Sequence, residues 1–482
     1  MLKSWVYVVA SVVIFVVGGN AWAIVKDIGL RGGAPGGGSP VIGLNPFEQA
    51  LFQEGRGRVV ELETTCATCA ALTSGAPTGE DPLLATRTSA TGLSARFNAD
   101  QCVACHSQPA IGGSGGFLVP NPKDSVRRVP ENPLFDLVPH RFGQTNKTPS
   151  FIKQFGPVLV PRFVKKADGT PDGHVYPLYT IVGRTDDPTI PGCNAKVLPQ
   201  PDFETELKKG NVAFRIPLQL FGMGLIEAIP DGEILARHRA MAAYRAQNGI
   251  VGVPNGSVSY RFGWKAQHKA LEQFTDATNE FAPQMKKIDP KCIGPETEER
   301  PQLLGGAEFE APNVDLINPV VLLATSFMRY LDAPSPAPMN ALALRGKALF
   351  GTGPEQPGIG CVACHTAQMT TSATAQTAAL QKRTVELYSD LLLHRMGPGL
   401  ADNITQGQAK GDMFRTPPLW GVGQRRFFLH DGRTDDLLQA IEAHASPAGN
   451  GYPASEANAV IARFKLLPPA DQQAILSFLR AL

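Results

Sequence analysis

The sequence has little net charge, and only its N-terminus has a long hydrophobic run. Its 45 Lys and Arg residues nearly balance its 43 Asp and Glu residues, which gives a formal net charge of +2. A nucleic-acid-binding protein usually carries a basic surplus, which is lacking here. With 482 residues, 43% of them hydrophobic, we expect a globular protein of two or three domains.

The hydrophobic run has the pattern of a secretory signal peptide. Residues 1–23 combine Lys3, an apolar stretch over 5–17 and a small-x-small site, which predicts cleavage after Ala23. An uncleaved anchor is the alternative, because the run is near the short limit for a spanning helix. Residues 24–45 are rich in Gly and Pro and are predicted to be a flexible leader. We therefore expect a periplasmic or otherwise exported protein with no membrane span once the signal is removed.

The motif C-V-A-C-H occurs twice, at residues 102–106 and 361–365. C-x-x-C-H is the attachment signature of c-type haem, in which two thiols take the porphyrin vinyl groups and the histidine ligates the iron. The predicted attachment residues are Cys102, Cys105, His106, Cys361, Cys364 and His365. Two covalently attached haems are therefore expected, with His106 and His365 as iron ligands.

A second ligand for the C-terminal iron is predicted from helical spacing. In residues 434–444, a capping Thr and two acids precede Leu437, Ala440, Ile441 and His444 at i, i+3, i+4 and i+7. His444 therefore lies on the apolar face of a predicted helix. It could ligate the iron or be a core histidine bonded to a backbone carbonyl.

The two halves of the chain repeat a set of motifs. F-R-x-P occurs at 214–217 and 414–417, D-G recurs at the same offset, and S-F-x-R occurs at 326–329 and 477–480. The pattern predicts a mainly α protein of two tandem cytochrome c-like haem domains, with long irregular loops and a few short strands in the first. The predicted regions are the N-terminal domain with a large insert (46–332), a Pro-rich linker (333–340) and the C-terminal domain (341–482).

Several motifs resemble those of a known family. FRTPPLW (414–420) and HDGR (430–433), with His444 beyond them, resemble the C-terminal haem domain of bacterial dihaem cytochrome c peroxidases and MauG-type enzymes. YSDLLLHRMG (388–397) and FGWKAQ (262–267) narrow the resemblance to the dihaem oxidoreductase family, sometimes labelled thiol oxidoreductase. The peroxidases typically have Met and MauG has Tyr at the place of His444. The resemblance therefore implies a bis-histidine haem of lower potential.

The resemblance implies a peroxidase-type haem enzyme in which electrons pass from the C-terminal to the N-terminal haem. The implied partners are hydrogen peroxide or another small oxidant, and a small electron-donor protein or quinol-linked cytochrome. A non-catalytic electron-transfer cytochrome with two six-coordinate irons is the alternative, and a thiol-oxidising enzyme rests on the label alone. Calcium is not predicted, because Arg425 and Arg426 stand where the peroxidases have T-A-P-Y. Trp264 and Trp420 are candidates for the peroxidases' inter-haem Trp.

Chemistry at the first haem has two candidate residues. Glu227 precedes the first D-G turn and is the predicted catalytic acid–base group on bound peroxide, although it could instead pair with an arginine or cap a turn. Tyr244 falls at the repeat position of His444 and is a weaker candidate for a distal ligand, since most helical tyrosines lie in a core or interface.

Four cysteines lie outside the haem motifs. Cys66 and Cys69 lack the following histidine of a haem site, and no βαβ pattern supports a thioredoxin-like role. Of the three possible pairings, an oxidising compartment favours Cys66–Cys69 and Cys193–Cys292.

Overall fold

The computed structural model describes residues 25–60, 102–116, 118–121, 124–130, 148–173, 175–176, 201–272 and 319–482. The helices of these ranges are α1 (Pro46–Val60), α2 (Phe203–Lys208), α3 (Met223–Ala228), α4 (Asp231–Ala240), α5 (Ala242–Asn248), α6 (Pro319–Tyr330), α7 (Ala341–Phe350), α8 (Leu437–Glu442), α9 (Asn458–Leu466) and α10 (Pro469–Ala481). The strands are β1 (Leu118–Asn121), β2 (Asp124–Pro130), β3 (Val160–Phe163), β4 (Val212–Arg215), β5 (Met369–Thr370), β6 (Thr384–Val385), β7 (Leu393–Arg395) and β8 (Met413–Arg415).

The strands pair consecutively into two-stranded antiparallel sheets, β1–β2, β3–β4, β5–β6 and β7–β8. The prediction of a mainly α fold with a few short strands is confirmed. The strands are not confined to the first half, because β5 to β8 follow the Pro-rich linker. Helices α6 and α7 lie on either side of the Pro-rich linker, and α10 lies at the C-terminal end of the sequence.

Both halves are closed by a crossing of two helices that meet at a glycine. In the first half, α1 packs on α6, and a Cβ at Gly55 would overlap the Leu323 carbonyl. In the second half, α7 packs on α10, and a Cβ at Gly346 would overlap the Ala474 carbonyl. Glycine permits this close approach because it has no side chain. The two crossings follow the predicted repeat.

A second glycine contact recurs between the halves. A Cβ at Gly224 would overlap the Arg329 carbonyl, and a Cβ at Gly423 would overlap the Arg480 carbonyl. Arg329 and Arg480 end the two S-F-x-R motifs, on α6 and α10. The repeat detected in the sequence therefore corresponds to repeated packing.

Residues 25–45 do not behave as the predicted flexible leader. Asp27 forms a buried ion pair with Arg480 on α10 and accepts a hydrogen bond from the Leu437 amide at 2.8 Å. Farther along, the Val41 amide donates to the Tyr330 carbonyl at 2.8 Å. Backbone and side-chain hydrogen bonds to both halves hold this segment in place.

Some predictions fall outside the described residues. These are the signal peptide at 1–23 and the four cysteines at 66, 69, 193 and 292. Within the described part of the chain, no helix combines the length and apolar character that a membrane crossing requires.

Candidate functional site

The two C-V-A-C-H motifs fold in the same way. Each begins with a 3-10 helix, at Cys102–Ala104 and Cys361–Ala363. The second cysteine amide of each motif donates to the first cysteine carbonyl, at 3.1 Å in the first and 3.3 Å in the second. All four cysteines carry thiols and not disulfides. Both motifs thus have the chemical form that thioether attachment needs.

The second motif opens into an apolar cavity of about 210 Å³. Its wall includes Phe350, Leu437, Ile441, Phe464, Ile475 and Leu479, from α7, α8, α9 and α10. Cys361, Cys364, His365 and His444 also line it. This combination of an apolar wall with two thiols and two imidazoles fits a haem.

His365 and His444 lie opposite each other in this cavity. Their ring centroids are 6.5 Å apart, with an interplanar angle of 59°. Two imidazoles that ligate one ion from opposite sides have centroids about 6 Å apart, because each metal–nitrogen bond is about 2 Å long. The separation of 6.5 Å between His365 and His444 is close to this spacing.

Each ring is oriented by a backbone carbonyl. His365 Nδ1 donates to the Tyr388 carbonyl at 3.0 Å, and His444 Nδ1 donates to the Ala440 carbonyl at 2.7 Å. A carbonyl on Nδ1 fixes the tautomer in which Nε2 is the basic nitrogen. His444 thus has the backbone carbonyl bond expected of a core histidine, and this bond does not use its Nε2.

Burial keeps both imidazoles neutral. It lowers the pKa of His365 to about 4, with a further lowering from the nearby His444 ring. It also lowers the pKa of His444. A histidine must be neutral to bind a metal, so both residues are in the required state.

Helix α8 positions His444. Asp436 caps α8 by accepting a hydrogen bond from the Gln439 amide at 3.0 Å. The helix ends at Glu442, earlier than predicted, and the His444 amide still donates to the Ile441 carbonyl at 3.2 Å. Ser455 Oγ donates to the His444 carbonyl at 2.6 Å, which fixes the turn after the helix.

The first motif has a different environment. Burial lowers the pKa of His106 to about 4, as at His365. Among the described residues, His106 has no ring contact like the one between His365 and His444. Next to it, the Gly112 amide donates to the His106 carbonyl at 2.8 Å, which folds the glycine-rich loop back on the motif.

Glu227 is held by an arginine. Its Oε2 accepts from Arg329 Nε at 2.7 Å, and its Oε1 accepts from the Leu271 amide at 3.2 Å. Arg329 also pairs with Glu272 at 2.6 Å. Pairing with an arginine was the predicted alternative to a catalytic role for Glu227.

Tyr244 lies at the second haem motif and not at the first. Its hydroxyl accepts from Arg463 Nη2 at 2.8 Å and donates to the Ile359 carbonyl at 3.2 Å. Its ring packs in a cluster that includes Cys361 and Val362. The idea that Tyr244 serves the first haem is wrong, because α5 packs against the other half.

His394 had no predicted role, and the structure places it in a buried cluster of charged side chains. Its Nε2 donates to Asp390 Oδ2 at 2.9 Å and its Nδ1 to Glu456 Oε2 at 2.7 Å. Arg245 pairs with the same Asp390 oxygen at 2.8 Å. Burial opposes the charged imidazole, but Cys364 and Asp390 raise the pKa of His394 well above its usual value. The only sequence signal was the spacing of Asp390 and His394, because Arg245 and Glu456 come from distant segments.

The cavity also contains three aromatic side chains that the sequence singled out. His430 is buried and stacks on Phe414 with centroids 4.1 Å apart. Trp264 Nε1 donates to the Ile216 carbonyl at 2.9 Å. Trp420 lines the cavity and packs against Gly222, where a Cβ would lie 2.6 Å from its ring. Trp420 thus joins this cavity to the first half of the chain.

Comparisons with known proteins agree with the predicted family. Residues 338–482 match the family model described as "Di-haem oxidoreductase, putative peroxidase". Comparison with curated proteins found no match. One similar solved structure is described as a MauG-like protein associated with microbial copper homeostasis, with 18% identity, a TM-score of 0.24, and coverage of 36% of this chain and 54% of that chain. Another is Kuenenia stuttgartiensis hydrazine synthase, with 17% identity, a TM-score of 0.22, and coverage of 35% and 56%. The chain spans just over half the length of each.

Proposed function

Because residues 338–482 match the model of the di-haem oxidoreductase family, we propose that the protein is an exported dihaem c-type cytochrome with peroxidase-like activity. The observation that carries this proposal is the opposed pair His365 and His444 beside two thiols in an apolar cavity. When bound, the haems supply one-electron chemistry, the C-terminal one passing electrons and the N-terminal one reducing peroxide or another small oxidant.

The chain's residues would hold the second haem in a fixed coordination. Cys361 and Cys364 would attach the porphyrin, and His365 and His444 would ligate the iron through Nε2. The carbonyls of Tyr388 and Ala440 hold both rings in the required tautomer. The apolar wall excludes water, and an iron held by both His365 and His444 would suit electron storage and not oxidant binding.

The first motif would supply the reactive site. Cys102 and Cys105 would attach the porphyrin and His106 would be its ligand. In this proposal the other position on its iron is open to a small oxidant. The electron donor would be a small electron-donor protein or a quinol-linked cytochrome.

The test uses the mature protein purified after export with its haems. Mass spectrometry should find two haem additions per chain and an N-terminus at Ile24. Stopped-flow mixing of the reduced protein with hydrogen peroxide should then oxidise both haems. If wild type carries two haems but does not react, the electron-carrier alternative holds. A single haem addition would contradict the dihaem proposal itself.

A further inference from the structure

Two buried arginines line the cavity of the second motif. Arg415 is 4% exposed and Arg425 is 9% exposed. Within the described ranges neither forms an ion pair, and both donate to backbone carbonyls. Arg415 Nε donates to the Gly263 carbonyl at 2.9 Å, and Arg425 Nε donates to the Phe427 carbonyl at 2.9 Å.

An isolated buried cation is costly unless a charge compensates it. Burial lowers the pKa of Arg415 to about 10 although the Asp390 carboxylate acts to raise it, and burial alone lowers the pKa of Arg425 to about 10. Among the residues that the structure describes, neither Arg425 Nη2 nor the indole Nε1 of Trp420 has a hydrogen-bond partner. Two buried cations and an indole N–H lining one cavity therefore call for an anionic ligand with more than one acceptor oxygen.

The first haem motif reaches Arg425 through Gln108. This residue is 3% exposed and lies two positions after His106. Its Nε2 donates to the Gln424 carbonyl at 2.5 Å, and its Oε1 accepts from the Arg426 amide at 3.3 Å. One side chain thus holds the backbone on both sides of Arg425.

We propose that Arg425, together with Arg415 and Trp420, binds the propionate carboxylates of the C-terminal haem, and that Gln108 positions Arg425 from the first haem motif. This rests on the proposed function in one respect, since it needs a haem in the cavity. The thiols of Cys361 and Cys364 would then fix one part of the porphyrin and the arginines its carboxylates. Gln108 would then couple the geometry of the first haem motif to the midpoint potential of the second haem.

The test measures the midpoint potential of the C-terminal haem in the full-length holoprotein by spectroelectrochemical titration. A cation beside the carboxylates favours the reduced haem, which carries one less positive charge. Arg425→Gln should therefore shift the potential downward, and Arg425→Lys, which keeps the charge, should shift it less. Gln108→Leu should shift it in the same direction as Arg425→Gln, because it frees the backbone on both sides of Arg425.

Arg426→Gln is the matched control. Arg426 neighbours Arg425, but its side chain is 37% exposed and pairs with Asp435 at 2.6 Å, so its loss should leave the potential unchanged. The inference is overturned if Arg425→Gln and Gln108→Leu keep both haems and the wild-type potential. If Arg425→Gln does not accumulate, Gln108→Leu and Arg425→Lys decide the same question. Failure of wild type to carry the C-terminal haem would instead refute the proposed function.

Discussion

At the scale of single residues, the account depends on the pair His365 and His444. Their rings have the same arrangement, with Nδ1 bonded to a carbonyl and a common space on the other side. The first histidine follows from a motif. The second follows from helical spacing and is the more demanding prediction, because burial alone would also suit a core histidine.

Replacing His444 with Met should change the iron ligation. A thioether sulfur raises the potential of a haem relative to a second imidazole. His444→Met should therefore give a His/Met spectrum and a higher midpoint potential at one haem. His430→Gln is the control, since His430 lines the same cavity but stacks on Phe414. If the two variants have identical spectra, the ligand is not His444.

Substitution of Glu227 separates its two roles. Loss of the ion pair with Arg329 should lower the free energy of unfolding of Glu227→Gln by about 1 kcal/mol. Arg329→Gln should cost a similar amount, and neither change should slow the reaction with peroxide. A fall of about 10²- to 10⁴-fold for Glu227→Gln alone would show acid–base catalysis instead. Chemical denaturation and stopped-flow kinetics on the same samples distinguish these results.

The cluster around His394 predicts a pH dependence of stability. The pKa of His394 is raised in the folded protein. The imidazolium therefore stabilises the fold fully at pH values below 6.5, the pKa of His394 in the unfolded chain. This contribution is lost as the pH rises through the higher folded pKa. Haem attachment would remove the contribution of the Cys364 thiol, while Asp390 and Glu456 remain.

We therefore expect the free energy of unfolding of wild type to fall on the alkaline side of 6.5 more steeply than that of His394→Gln. Denaturation curves at a series of pH values provide the measurement. Parallel pH profiles for the two proteins would show that His394 is neutral in the fold.

At the scale of secondary-structure elements, helix crossings at glycine position the C-terminal motif. The contact of α7 with α10 at Gly346 leaves no room for a methyl group. Gly346→Ala should therefore lower the free energy of unfolding by about 1–3 kcal/mol through overpacking. Gly353→Ala is the control, because nothing lies within 4 Å of its added Cβ. Equal stability of the two variants would mean that the helices separate without cost.

Helix α7 is an element whose bounds follow from the sequence pattern alone. The bounds of α7 follow from a run of apolar residues between a Pro-rich stretch and a glycine, and the structure has them at Ala341 and Phe350. The N-terminal segment was predicted to be flexible from its Gly and Pro content. Composition does not reveal that Asp27 meets Arg480, because the two residues are distant in sequence.

At the scale of the whole molecule, contacts between the halves were the least predictable feature. The repeat predicts similar halves, yet α5 of the first half packs on the second haem motif, and Gln108 reaches residues 424 and 426. No periodicity in the sequence encodes such contacts. Local motifs and helical spacing therefore singled out the cysteines and histidines that line the cavity of the second motif. The contacts of Arg415, Arg425, His394, Tyr244 and Glu227 required the fold.

The proposed function requires one iron that two histidines saturate and a second iron that a small ligand can reach. It is tested most directly by the electron paramagnetic resonance spectrum of the ferric holoprotein with and without cyanide. We predict one low-spin bis-histidine signal that cyanide leaves unchanged and a second signal that cyanide converts to a new low-spin form. Two low-spin signals that both resist cyanide, or a bis-histidine signal that persists in His444→Ala, would contradict the account.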